Sequence, residues 1–192
     1  AVHALKLSCL GEEHDVAVYG CGTIGLCIIS AVRERTIGRV FAIDRLDYRL
    51  EAARRFGADF AVNPDRVDPV RFITDKTVYG VPRSFESSGS MEAVRNSMMM
   101  ASPGGVVVLG GIPGEDDVCF DAHSSRRKEL SVRFLRRSNC ETKEALELYL
   151  RRRGDLSGII THNIPLEEIS RGIELTANYQ DNVIKVIINP GA

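Results

Sequence analysis

The stretch Val16-Ala17-Val18-Tyr19-Gly20-Cys21-Gly22-Thr23-Ile24-Gly25-Leu26 runs from a short apolar segment through a glycine-rich turn into the start of a second element. Asp15 to Tyr19 reads as a buried strand. Thr23 to Arg35 reads as a helix, because Ile24, Ile28, Ala31 and Val32 recur at the three- and four-residue spacing that lines one helical face. The glycines therefore form a G-x-G-x-x-G between a strand and a helix. Gly20 permits the tight turn, Gly22 lets backbone approach a pyrophosphate, and Gly25 lets the helix pack close on the strand. The helix start, which includes Thr23 and Ile24, offers N–H groups to anionic oxygens. Asp44 follows 19 positions after Gly25, at the end of the next strand, and completes a dinucleotide fingerprint. Its carboxylate suits the adenosine ribose hydroxyls and repels the extra phosphate of NADP, so the reading is NAD. Arg45, beside it, is of the type that serves a 2′-phosphate and keeps that alternative open. The plain alternative for the glycines is a tight strand-to-helix turn without a ligand, which the intact context disfavours.

Outward from this turn the periodicity alternates between strands and helices. After it come strand Arg39–Ile43, helix Asp47–Phe56, strand Asp59–Val62, helix Val67–Val78, strand Ser84–Ser87, helix Met91–Ala101 and strand Val106–Leu109. The pattern loosens through Gly114-Glu115-Asp116-Asp117, then gives strand Leu130–Leu135 and helix Glu141–Arg153. The last quarter reads as strand Ile159–Thr161, helix Leu166–Ala177 and strand Val183–Ile188. Six or more strands separated by helices predict an α/β fold, a doubly wound parallel sheet covered on both faces. No repeat or low-complexity linker interrupts the series, so residues 1–192 are read as a single Rossmann-type domain.

Composition supports a folded chain and excludes several classes. With 44% hydrophobic and 27% charged residues among 192, the chain can bury an ordinary core, and disordered or fibrous architectures drop out. Its formal net charge of −1 supplies no field for nucleic acid or an anionic bilayer. Cys9, Cys21, Cys27, Cys119 and Cys140 are odd in number and scattered, with no C-x-x-C pair, which fits a reducing, cytoplasmic setting. No apolar run approaches the roughly 20 residues of a membrane span, and the opening Ala1-Val2-His3-Ala4-Leu5-Lys6 lacks a signal-peptide layout. A start on Ala1 without a methionine suggests a processed chain or a piece of a longer one.

The sequence resembles the cofactor domain of the zinc-containing medium-chain dehydrogenase/reductase family, within it the polyol, sorbitol-dehydrogenase-like branch. The resemblance rests on the residues 16–26, then on Asp44 with Arg54-Arg55-Phe56-Gly57-Ala58-Asp59, and on Phe85-Glu86-Ser87-Ser88-Gly89. It continues in Gly104-Gly105-Val106-Val107-Val108-Leu109-Gly110-Gly111, Arg127-Lys128-Glu129-Leu130, Ile160-Thr161-His162 and Ile184-Lys185-Val186, nearly the whole chain. It implies that Asp44 and Arg49 flank the adenosine ribose, Gly22 to Ile24 the pyrophosphate, and Ser88-Gly89 the floor of the cofactor site. It also implies that Gly110, Gly111 and Ile112 line the nicotinamide, that Lys185 approaches a phosphate, and that Arg136 lies near substrate. The segment Arg133 to Arg137 is one residue shorter than its counterpart in polyol dehydrogenases. The implied activity is hydride transfer between NAD and an alcohol or polyol, with zinc polarising the oxygen in the full-length protein, and a homo-oligomeric assembly. The family's N-terminal catalytic domain, which supplies the zinc ligands, is missing from this sequence, so an isolated domain or fragment, incomplete for catalysis and with its catalytic residues unknown, is expected. Ala1-Val2-His3-Ala4-Leu5 resembles the helix that follows the last acidic zinc ligand. Two rivals stand beside this reading: a threonine-dehydrogenase-like or zinc-free reductase, and a non-catalytic NAD-binding or oligomerisation module.

Other chemistry-bearing residues read as structural. His3, His14, His123 and His162 are spread out with no metal-ligand spacing, so no metal site is expected. Cys21 is a small residue in the turn. The basic run Arg126-Arg127-Lys128, with Arg133, Arg136 and Arg137, has no aromatic stacking set beside it and reads as solvated charge or phosphate contact. Arg151-Arg152-Arg153 suits a helix C-terminus, and Met98-Met99-Met100 reads as core.

Overall fold

A computed structural model of the chain describes residues 1–114, 117–151 and 156–191. The described chain gathers into two compact units, Ala1–Thr142 and Lys143–Ala192. The first unit runs α1 (Val2–Ser8), β1 (Val16–Tyr19), α2 (Thr23–Arg33), β2 (Val40–Ile43), α3 (Asp47–Arg55), β3 (Phe60–Val62), α4 (Pro69–Thr77), β4 (Val81–Glu86), α5 (Met91–Met100), β5 (Ala101–Leu109), α6 (Ala122–Arg127) and β6 (Ser131–Phe134). All six strands pair in parallel in the order β3-β2-β1-β4-β5-β6, the order of a doubly wound dinucleotide fold.

Strand burial explains the apolar runs. Every residue of β1 and β2 is buried, as central strands covered on both faces require. On one face Ala17, Tyr19, Phe41, Ile43 and Val62 pack with Ile73 of α4 and Ala93 and Met100 of α5. Phe41 and Phe60 stack with ring centroids 4.9 Å apart, Phe72 meets Phe60 edge-on, and the Lys76 ammonium lies 4.7 Å over the Phe60 ring. Because strand side chains alternate, Val16, Val18, Val40 and Ala42 point to the other face, and α2 packs on β1 and β2. Met98 and Met100 are core, while Met99 turns outward.

Register decides where function can sit. Tyr19 pairs with Ile43 on one side and with Glu86 on the other, and Glu86 pairs with Leu109. The next residues along each strand therefore leave the sheet in one row: Gly20, Asp44, Ser87 and Gly110. Between β1 and β4 the strand order reverses, and at such a point the carboxyl ends of the strands open a crevice.

Helices α4, α5 and α6 start where side chains supply caps, whereas α1, α2 and α3 have none. Asp68 Oδ1 accepts from Val70 and Arg71 N–H ahead of α4, with Pro69 in the first turn, Ser90 Oγ accepts from Ala93 N–H ahead of α5, and Asp121 Oδ1 accepts from Ser124 N–H ahead of α6. The short α6 buries none of its residues, so it has no apolar stripe and the sequence pattern does not show it. Strands β4 and β5 begin earlier than their strongest apolar runs, at Val81 and Ala101.

In the second unit, α7 (Thr142–Arg151) is followed by β7 (His162–Pro165), a 3-10 turn (Leu166–Glu168), α8 (Ile169–Ala177) and β8 (Val186–Asn189). Its strands pair with each other in parallel as a two-stranded sheet and do not extend the six-stranded one. Strand β7 lies just beyond the expected Ile159–Thr161, and β8 begins three residues into the expected Val183–Ile188. Ile159 and Val183 are buried through turns closed by bonds to the Leu156 and Gln180 carbonyls, and strand pairing starts only at His162 and Val186. Of the arginine run, Arg151 lies in α7, and Arg152 and Arg153 lie outside the described residues. Among the described residues no helix is long and apolar enough to cross a membrane.

Two outcomes follow from this packing. A Cβ on Gly25 would collide with the Gly20 carbonyl oxygen, so Gly25→Ala is expected to destabilise the chain by about 2–3 kcal/mol, read as a lower urea midpoint. An unchanged midpoint would contradict this close approach of α2 to the turn. Burial raises the Cys21 thiol pKa well above its ordinary value, and the nearby Asp44 charge adds to the rise. Native-state alkylation at pH 8 should therefore modify the exposed Cys9, Cys119 and Cys140 while Cys21 reacts only on unfolding, as mass mapping of the modified peptides checks.

Candidate functional site

Backbone crowding shapes the turn after β1. Gly20 has φ +93°, a conformation L side chains rarely adopt, and a Cβ there would stand 2.8 Å from Ser88 N. The turn is tied to both neighbouring strands. Gly20 N–H donates to the Ile43 carbonyl (2.7 Å), Ser87 N–H to the Tyr19 carbonyl (2.8 Å), and Ser87 Oγ–H lies 2.7 Å from the Gly20 carbonyl oxygen. Helix α2 then begins with Gly22 at its cap position and no side-chain cap, unlike α4, α5 and α6.

Asp44 stands at the end of β2 with only 8% of its surface exposed. Its Oδ2 accepts from Cys21 N–H (2.7 Å) and its Oδ1 from Leu46 N–H (3.0 Å). An ionised carboxylate has about four acceptor positions, so this one is oriented by the protein and retains capacity for ligand hydroxyls. Arg49, on α3, places Nη1 4.0 Å from Asp44 Oδ2, and the same nitrogen lies 3.9 Å from where a Gly22 side chain would begin. A cation thus faces the start of α2, and the two together suit a diphosphate.

Arg45 turns elsewhere. Its Nε donates to Asp65 Oδ2 at 3.0 Å, and Asn63 Nδ2 donates to its carbonyl at 2.9 Å. The pairing raises the Arg45 pKa above its ordinary value, chiefly through the hydrogen bond to Asp65. Position 65 carried no signal in the sequence that it would engage this arginine.

Across the crevice, Ser88-Gly89 and Gly110-Gly111 meet around Glu86. The Glu86 Oε1 accepts from Ser88 N–H (2.7 Å), Ser88 Oγ–H (2.8 Å) and Gly89 N–H (2.7 Å), and Oε2 accepts from Gly111 N–H (3.1 Å). Ile112 follows with 92% of its surface exposed, and Ile24 on α2 is also exposed, so the crevice presents apolar side chains as well as polar ones. The sequence reading places Glu86 and Ser87 in a strand and in the family resemblance but gives them no role in the site. The available signal was an acidic residue and a hydroxyl inside an otherwise apolar strand end, Phe85-Glu86-Ser87-Ser88.

The structure thus gathers Gly20, Gly22, Thr23, Ile24, Gly25, Asp44 and Arg49 on one side of the strand reversal, and Ser88, Gly89, Gly110, Gly111 and Ile112 on the other. Arg136 is exposed just after Leu135, whose side chain crowds Gly110 and whose N–H donates to the Leu109 carbonyl (2.8 Å). Lys185 belongs to the second unit, where its carbonyl accepts from Thr161 N–H at 3.0 Å.

Three of the four histidine rings have hydrogen-bond partners among the described residues. His3 Nδ1 lies 3.0 Å from Glu141 Oε1, His14 Nδ1 accepts from Gly11 N–H (2.9 Å), and His162 Nε2 lies 3.1 Å from Asp181 Oδ2. Among the described residues no three His, Cys, Asp or Glu side chains gather to hold a metal ion.

Comparison with known proteins agrees with this architecture. Residues 23–151 match the family model described as zinc-binding dehydrogenase. The L-threonine 3-dehydrogenase of Bacillus velezensis is 32% identical over 194 residues, covering 99% of this chain and 55% of that protein. An alcohol dehydrogenase of Cupriavidus necator is 31% identical, over 92% of this chain and 50% of its own length. The structure of alcohol dehydrogenase TADH from Thermus sp. ATN1 superimposes with a TM-score of 0.85 at 30% identity, over 96% of this chain and 53% of that one. The chain thus spans about half the length of the relatives it matches. With the glycine turn, the sheet order and these matches in agreement, the chain belongs to the zinc-containing, medium-chain family of zinc-binding dehydrogenases.

Proposed function

We propose that this chain is the NAD-binding part of an oxidoreductase that transfers a hydride between NAD and an alcohol or polyol. The observation that carries the proposal is the Asp44 carboxylate, nearly buried at the end of β2, anchored to Cys21 N–H and Leu46 N–H and still able to accept from ribose hydroxyls. Arg49 and the uncapped start of α2 supply the complement for the pyrophosphate. Gly20 and Gly25 keep the turn clear of side chains, Ser88-Gly89 form the floor, and Gly110, Gly111 and Ile112 line the nicotinamide end. When bound, NAD supplies the hydride-accepting chemistry, and this chain contributes orientation and one wall of a water-poor cleft. Arg45, which follows Asp44 in the chain, is engaged by Asp65, and this pairing supports NAD over NADP.

Among the described residues no cluster of His, Cys, Asp or Glu side chains fits a zinc ion, and zinc belongs to the proposal for a longer protein only. Arg136 as a substrate contact, Lys185 as a phosphate contact, a homo-oligomer and a cytoplasmic location complete the reading by family resemblance. The name of the Bacillus velezensis relative favours a second substrate reading, an amino alcohol such as threonine.

Calorimetric titration with NAD and NADP in parallel tests the cofactor assignment. NAD should bind at least about tenfold tighter, and Asp44→Ala should abolish that preference, since a bond to a charged group contributes about 1.5–3 kcal/mol. Absence of binding to either dinucleotide by a chain that still melts cooperatively would sink the proposal. In the same assay Arg49→Ala should weaken NAD by about tenfold and free adenosine by clearly less. Equal losses for both ligands would remove Arg49 from the phosphate site.

A further inference from the structure

Glu86 is 1% exposed, and a carboxylate so placed costs several kcal/mol unless its oxygens are satisfied. Each oxygen serves a different loop. Oε1 holds Ser88 and Gly89 through two N–H groups and one hydroxyl, and Oε2 holds Gly111. The backbone carbonyl of the same residue accepts from Gly110 N–H (2.8 Å) and Gly111 N–H (3.2 Å). One residue therefore bonds the segment after β4 and the segment after β5 at once. The bond to Ser88 extends further, because the Ser88 hydroxyl accepts from Ser90 N–H at 3.2 Å and Ser90 Oγ caps α5. A Cβ on Gly111 would run into Gly89 N, so the two segments touch with no side chain between them.

The distribution of donors requires an acid at this position. Both carboxylate oxygens face N–H groups, so an amide of the same shape must turn its own NH2 toward one of the loops. Three donors converge on Oε1 and one on Oε2. A glutamine here best keeps its oxygen on Ser88 and Gly89 and points its NH2 at Gly111 N–H, leaving that loop without its side-chain anchor.

We propose that Glu86 is a positioning residue for the nicotinamide end of the dinucleotide. It fixes Ser88-Gly89 against Gly110-Gly111 before the ligand arrives and does not touch the ligand itself. This rests on the NAD reading above, in which those two segments form the floor and lining of that end. Preorganisation of this kind raises affinity by removing the ordering cost from the binding step. It acts only on ligands that reach the loops, so the adenosine half should be indifferent to it.

The test compares NADH with ADP-ribose, which lacks the nicotinamide, as ligands for the whole chain and for Glu86→Gln. Titration calorimetry reads affinity, reduced-nicotinamide fluorescence reads the environment of the ring, and a thermal melt reads folding. Glu86→Gln is expected to weaken NADH about tenfold and to diminish the fluorescence change on binding, with ADP-ribose within about twofold of the parent. Equal weakening of both ligands, or of neither, in a folded variant would overturn the proposal. If Glu86→Gln does not melt cooperatively, Glu86→Asp, which keeps both acceptor oxygens but is one methylene shorter, is read on the same scale. A selective loss for NADH supports the positioning role, and its absence overturns it. A parent chain that binds neither ligand overturns the NAD reading itself and this inference with it, a result distinct from binding that does not discriminate.

Discussion

The close approach of bare backbone at the carboxyl ends of β1 and β4 is the constraint on which the rest of the fold depends. Gly20 must take a left-handed conformation against Ser88, and Gly25 must lie against the Gly20 carbonyl. Only then can α2 start directly above β1 and cover the face that carries Val16, Val18, Val40 and Ala42. The crevice follows from the same contact. Parallel register brings the ends of β2, β1, β4 and β5 level, and the reversal of strand order parts the connections that leave them. A side chain at either glycine would therefore disturb the core and the site together.

Much of this was legible in the sequence because local chemistry enforced it. Central parallel strands are buried on both faces, so β1 and β2 read as continuous apolar runs, and the glycine spacing marked the turn between β1 and α2. Asp44 was legible for a related reason: its distance from the turn follows from the length of one helix and one strand. What was illegible depends on partners distant in sequence. Nothing near Arg45 shows that Asp65 will pair with it, and nothing near Glu86 shows that Gly111 will donate to it. The two-stranded pairing of β7 with β8 was hidden for another reason. Ile159, Val183 and Ile184 are buried, but by turns and packing, and hydrophobicity reports burial without reporting which residues form a ladder.

The two acidic residues at the strand ends show how similar groups acquire different roles. Each is almost inaccessible and each is held by backbone N–H groups, which replace the water that its charge loses. They differ in how much of that capacity the protein itself takes up. Glu86 receives donors from two loops on both oxygens, so its charge is engaged internally and serves to hold chain segments together. Asp44 receives one N–H on each oxygen and has an arginine 4.0 Å away, so acceptor positions remain for hydroxyl groups.

This difference assigns the two sides of the crevice different tolerances. On the Asp44 side stands a carboxylate whose orientation is fixed but whose hydrogen-bonding is incomplete, so under the proposed function a change there would alter which ligand is preferred. On the Glu86 side the polar groups satisfy one another, and the exposed apolar surface of Ile112 is what remains to meet a ligand. Under the proposed function, selectivity for the nucleotide and order at the other end of the cleft would thus reside in separate residues, joined through the backbone of the glycine turn and Ser87.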